Sequence, residues 1–143
     1  MIEKTNLAKS LTYAGMLPFI GMTIAILLDI DLFGLNKLTV ISAYAAVIAA
    51  FISGIHWGLY LLKDSPLNLF IHSNIVTLIA WAALLLAYPV NWLIFIACFV
   101  YLLLIDKQLT AAGLLEAWYL RMRILASTVV ISCLAVLFIF QVA

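Results

Sequence analysis

Residues 38–62 read LTVISAYAAVIAAFISGIHWGLYLL, a run without an Asp, Glu, Lys or Arg. Its length decides the fold class. A helix needs about 20 apolar residues to cross a hydrocarbon core of roughly 30 Å, and this run supplies them with residues to spare. A strand of a membrane barrel would alternate polar and apolar side chains. Neither this run nor LIAWAALLLAY (Leu78–Tyr88) does so. A helix also satisfies its own backbone hydrogen bonds, which lipid cannot do for it.

Outward from that run lie four more uncharged stretches: Leu11–Leu28, Leu67–Tyr88, Val90–Ile105 and Ile124–Ala143. The 143-residue chain is 69% hydrophobic and 9% charged, where a soluble domain is about half apolar and about a quarter charged. A soluble fold of this size could not hide that much apolar surface. The composition thus excludes a soluble globular domain, a disordered chain and a disulfide scaffold. The fold it predicts is all-α and membrane-embedded: a bundle of five transmembrane helices forming a single domain over 1–143, with helices at about 10–28, 38–62, 67–88, 90–107 and 114–142. The first stretch is read as a retained helix rather than a signal peptide. Pro18 interrupts it, and AILLDID follows without a small-x-small cleavage site.

The charges fall between the stretches and set an orientation. With five crossings, one side receives the N-terminus, the 63–66 loop and the 106–123 segment, with Lys4, Lys9, Lys63, Lys107, Arg121 and Arg123. The other side receives the 29–37 loop, the Pro89 turn and the C-terminus, with Lys37 alone. Cytoplasmic loops carry the excess of Lys and Arg. The expected topology places the N-terminus in the cytoplasm and the C-terminus outside, in the inner (cytoplasmic) membrane. Short connections make sequential helices antiparallel neighbours. Gly113 is a candidate helix break, and Trp118 and Tyr119 belong to an interfacial aromatic belt.

Helix packing in lipid relies on small residues that let backbones approach. Ser42, Ala46, Ala50, Gly54 and Gly58 form a ladder at i+4 spacing, and Ala45, Ala49 and Ser53 form a second stripe. The second helix is therefore expected to be central, and Gly54→Leu to disturb folding. Pro18 is expected to kink the first helix. Cys98 and Cys133 read as small hydrophobes within helices rather than as a disulfide or a metal pair.

Polar groups inside a membrane are functional candidates by default, and here they gather near one end. The candidate binding residues are His56, Trp57, His72, Asn74, Trp81, Asp106, Tyr119 and Arg123. Each also has a structural reading. His56 shares a face with Ser53 and Tyr60 and could bond a backbone carbonyl of a neighbouring helix. His72 could be an interfacial anchor. Asn74 and Trp81, at i+7, could serve helix contact. Arg121 and Arg123 point about 200° apart, so at most one faces the bundle, and an Arg–Asp106 pair across the last hairpin is expected. Two histidines on adjacent helices also invite a bis-His haem, but two lone histidines whose depths differ by roughly 5 Å are a weak signal, and no cofactor or metal is assigned. No HExxH, GxSxG, CxxC or phosphate loop occurs, and no nucleophile–base–orienter set emerges. The net charge of +1 without a basic stripe gives no footprint for nucleic acid.

FISGIHWG (Phe51–Gly58), preceded by SAYAAVIAA, resembles the FLGGxHWG-type segment of a small membrane-protein family of unknown function that includes the mitochondrial transmembrane protein 69. The resemblance continues through AGMLPF (Ala14–Phe19), SNIVTLIAW (Ser73–Trp81), Asp106 and WYLRMR (Trp118–Arg123), in order along nearly the whole chain. It implies a five-helix inner-membrane protein without a settled activity. It directs attention to Pro18, Gly54, His56, Trp57, Gly58, Trp81, Asp106, Trp118 and Arg123. The family pattern has a second glycine where this chain has Ser53, and a proline near Val76.

Three functions compete. The first is an accessory or interaction module of a membrane complex, with the lipid bilayer and a membrane-protein partner or a second copy of the chain as partners. The second is a small-molecule or lipid-binding or transport protein. Its cytoplasm-facing site would lie around His56, between the second, third and fifth helices, and would be lined by His56, Asn74, Trp81 and Arg123. The third is an enzyme acting on a lipid or isoprenoid.

Overall fold

The structure, a computed structural model, describes residues 3–143. It is all-helical: α1 (Lys4–Leu27), α2 (Lys37–Leu62), α3 (Leu69–Ala83), α4 (Val90–Ala111) and α5 (Ala117–Val142). Four of the five, α1, α2, α4 and α5, are long and apolar enough to cross a membrane. The helix α3 is shorter than the sequence suggests. Its 15 residues rise only about 22 Å. The Asn68 side chain accepts the Ile71 N–H at 3.2 Å and starts the helix there. At the other end, Leu84, Leu85 and Leu86 donate to Trp81, Ala82 and Ala83 in three-residue turns. Tyr88 then precedes Pro89, and a residue before proline is pushed out of the α region.

The helix α4 runs past Asp106 to Ala111, where Gly113 stops it. Its φ of +75° is the left-handed conformation that glycine adopts without steric cost. Leu114 N–H reaches back to the Leu109 carbonyl at 2.9 Å, closing a Schellman-type cap. On α2, the Asn36 side chain accepts the Thr39 N–H at 3.1 Å. Lys37 Nζ bonds the Asp29 carboxylate at 3.1 Å and the Ile30 carbonyl at 2.9 Å, placing a cation beside the last turn of α1.

The packing has a simple plan. Each helix touches its neighbours in sequence, α1 touches α5, and α2 crosses to α4. The α2–α4 contact divides the ring in two. On one side, α2, α3 and α4 form a closed triangle. On the other, α1, α2, α4 and α5 form a quadrilateral with neither diagonal closed, because α1 does not reach α4 and α2 does not reach α5 at the backbone level. Phe19 and Phe99 meet edge to face across that opening, with ring centroids 6.2 Å apart.

The helix α2 is central, touching α1, α3 and α4. Its buried positions are Ile41, Ser42, Ala45, Ala46, Ala49, Ile52, Ser53 and His56. The ladder from Ser42 to Gly58 is therefore packed only at its first two members. Ala50 is half-buried, and Gly54 is exposed. A Cβ added at Gly54 or Gly58 meets nothing within 4 Å, so neither glycine lets another helix of this chain approach closely. This corrects the expectation that Gly54→Leu would disturb folding. The buried stripe is Ala45, Ala49, Ser53 and His56, which rotates the packed face away from the glycines. Pro18 is exposed and lies inside α1 without ending it. Cys98 is buried, Cys133 half-buried, and both are free thiols.

A second buried polar node was not legible from composition. Ser42 Oγ accepts both the Asn91 Nδ2–H and the Trp92 Nε1–H, each at 3.1 Å. All three residues are buried. They join α2 to α4 at the end of the bundle opposite His56.

Candidate functional site

Asp106 is fully buried on α4 and binds two partners. His56 Nε2 lies 2.7 Å from one carboxylate oxygen, Oδ1, and Arg123 Nε donates to the other, Oδ2, at 2.8 Å. The three residues come from α2, α4 and α5, so the cluster ties three helices together. Arg123 lies six residues into α5 and His56 six residues from the end of α2. At 1.5 Å per residue both sit about 9 Å inside their helices. Arg123 is thus the arginine that turns inward, while Arg121 is exposed.

Arginine and carboxylate often meet through two parallel hydrogen bonds. Here His56 occupies the second carboxylate oxygen, and Arg123 is held through Nε alone. Its Nη2 is buried without a partner. Buried polar groups are hydrogen-bonded as a rule, and each exception asks for a reason. Tyr119 OH and Ser127 Oγ are also buried and unpartnered. These residues lie on one face of α5, at i, i+4 and i+8.

All three line the same cavity, of about 360 Å³, which lies inside the open quadrilateral. Its apolar wall comes from the middle of α1 (Leu11, Met16, Phe19), from α2 (Phe51, Ile52, Ile55) and from Phe99 of α4. Leu11 and Phe51 are about two-thirds exposed, at 64% and 67%, which places the mouth on the outer face of the bundle between α1 and α2. Tyr44 OH donates to the Gly15 carbonyl at 2.8 Å and closes α1 against α2 beyond it. Phe19, Phe99 and Val130 line the far end, and among the described residues Arg123 is the only charged side chain in the wall.

The other sequence candidates lie elsewhere. The buried stripe of α3 is Leu69, Ser73, Val76, Ala80 and Ala83, which turns Asn74 and Trp81 outward together. Asn74 bonds its own helix at the Phe70 carbonyl, and Trp81 is 60% exposed. Trp57 packs on Phe70, with ring centroids 4.4 Å apart. His72 Nδ1 pairs with Tyr101 OH on the exposed side of α3 and α4. The two histidines therefore belong to separate networks. The cavity expected between the second, third and fifth helices lies instead among α1, α2, α4 and α5, because α3 does not touch α5. His56 does not line it; it stands behind Asp106 with Nδ1 buried and unpartnered. The sequence reading missed Ser127 and the whole contribution of α1. The four-residue spacing from Tyr119 through Arg123 to Ser127 was the signal that could have found Ser127.

Fold and site together define a class: a small helical bundle apolar enough to cross a membrane, with a buried Arg–Asp–His cluster behind an interhelical cavity. The chain belongs to a family of proteins of unknown function, DUF3429, whose sequence model matches residues 5–139. No curated protein and no solved structure was found to match it.

Proposed function

We propose that this protein binds a lipid-soluble small molecule within the bilayer, in the cavity bounded by α1, α2, α4 and α5. The observation that carries this reading is that Arg123, whose Nη2 is buried and unpartnered, is one of the residues lining the cavity. Leaving a buried donor unpaired costs about 1–3 kcal/mol, and more for a charged group. A ligand that accepts from it recovers that cost. Small-molecule sites are mostly apolar, with a few convergent polar groups and volumes of about 300–1,000 Å³. Arg123 and Tyr119 hold the ligand's head, Phe19 and Phe99 its apolar end, and Asp106 and His56 position the guanidinium.

The test is photolabelling with an alkyl diazirine in lipid nanodiscs. Saturable labelling of peptides spanning residues 8–19 and 119–130 is expected. It is lost in Ala126→Phe, which fills the cavity from a buried lining position. Labelling that does not saturate, or that Ala126→Phe leaves unchanged, overturns the reading.

A second reading, an accessory module of a larger membrane complex, draws on Gly54 and Gly58. They leave open space on the outside of α2 where a partner helix or a second copy could approach. We further propose that the membrane is the inner (cytoplasmic) one with the N-terminus in the cytoplasm, on the distribution of Lys and Arg. Kinship with the mitochondrial transmembrane protein 69 family is proposed on the HWG segment.

A further inference from the structure

The cavity's chemistry also constrains the ligand. Resting on the binding reading above, we propose that the site selects an uncharged head group that accepts hydrogen bonds, a ketone, quinone or ester carbonyl on one apolar chain or ring.

Two observations converge on this class. The first is the donor inventory. Arg123 Nη2 can only donate. Tyr119 and Ser127 each add an unpartnered hydroxyl able to donate. Among the described residues no carboxylate lines the cavity, so an ammonium head would meet a guanidinium and no counter-charge.

The second is the charge balance. The Asp106 carboxylate already compensates the Arg123 guanidinium at 2.8 Å. His56 Nε2 takes the other oxygen of that carboxylate at 2.7 Å, so both Asp106 oxygens are already engaged. A carboxylate ligand would therefore set a second acid against a guanidinium that Asp106 already holds, inside the membrane, where unpaired charge is expensive. A carbonyl oxygen accepts from the same donors and leaves the balance intact. The cavity volume of about 360 Å³ is near the lower end for ligand sites. That suits one short chain or ring ending against Phe19 and Phe99.

The test competes three probes of equal chain length against the alkyl diazirine: a methyl ketone, a fatty acid and a primary amine. Nanodiscs of phosphatidylcholine in mildly alkaline buffer keep the acid ionised. The ketone should displace the label best. Tyr119→Phe and Ser127→Ala should each weaken its displacement about fivefold, the loss of one hydrogen bond of ordinary strength. Both substitutions should leave the unliganded melting temperature unchanged or higher, because neither hydroxyl has a protein partner. Stronger displacement by the acid or the amine overturns the proposal, as does ketone displacement that neither substitution alters. If the diazirine never labels the cavity saturably, the binding reading itself has failed. If it labels and the wrong probe wins, only the head-group assignment has failed.

Discussion

Arg123 and Asp106 meet across the α4–α5 hairpin through one hydrogen bond, Nε to Oδ2 at 2.8 Å. The second oxygen is given to His56. That division sets the energetics and the chemistry of this end of the bundle. It makes one carboxylate the partner of two helices, and it leaves part of a buried guanidinium available.

Removing one side of a buried pair is costly because the other charge stays buried, typically about 3–5 kcal/mol. Asp106→Leu and Arg123→Met should each lower the melting temperature in detergent sharply. The double variant Asp106→Leu/Arg123→Met should be much less destabilised than the sum of the two, because neither charge is then stranded. Additive losses would show that the pair contributes nothing jointly and that the cluster is not its reason for burial.

At the opposite end, Ser42 is the sole acceptor among the described residues for Asn91 Nδ2 and Trp92 Nε1. Ser42→Ala removes one oxygen atom and strands two buried donors. A loss of about 2 kcal/mol or more is expected at about 1–3 kcal/mol per unsatisfied group. In a Trp92→Phe background the same substitution should cost roughly half as much, since only Asn91 then loses its acceptor. An equal cost in both backgrounds, read by thermal melts, would mean that the indole does not depend on Ser42.

The five-helix, all-α class was legible in the sequence because length and charge-free composition act at the scale of whole segments. So was the inward turn of one arginine, since Arg121 and Arg123 cannot share a helix face and a buried cation needs a nearby acid. Other features were not legible, for particular reasons. Hydropathy cannot distinguish a 15-residue helix followed by turns from a full crossing, so α3 was read too long. Small residues at i+4 spacing mark two possible faces of α2. Helical rotation chose the Ala45–Ala49–Ser53 face, which only the neighbouring helices decide. The cavity depends on which helices fail to touch, a property of the ring closure between α1 and α5 that no local pattern encodes. His56, Asp106, Tyr119 and Arg123 can be named individually, while Ser127 acquires its role only through the cavity that α1 closes beside it.

Gly54 gives the accessory reading its own test. It is exposed, with open space where a Cβ would stand. Gly54→Ala should stabilise the isolated chain by up to about 1 kcal/mol through helix propensity alone. Gly54→Leu should leave its melting temperature near the wild-type value. If α2 docks a partner or a second copy through this face, Gly54→Leu will instead abolish the larger species seen by cross-linking in native membranes. Cross-links that survive Gly54→Leu remove this face from any interface.

The burial of Arg123 also sharpens the orientation prediction. The positive-inside bias acts through cations in short loops and near helix ends. Arg123 is instead neutralised by Asp106 inside the bundle, so it should not help to set topology. A reporter fused after Ala143 is expected outside the cytoplasm, both in the wild type and in Arg123→Leu. Exchanging Lys4, Lys9, Lys63 and Lys107 for Gln, while adding lysines beside Asp29 and Asp31, should move the reporter to the cytoplasm. Those lysines sit at the exposed or half-buried helix ends and loops on the expected cytoplasmic side, whereas residues 29 and 31 lie in the opposite loop. A wild-type reporter found in the cytoplasm would overturn the assigned orientation. A reporter inverted by Arg123→Leu alone would show that Arg123 acts on topology during insertion, before it is paired.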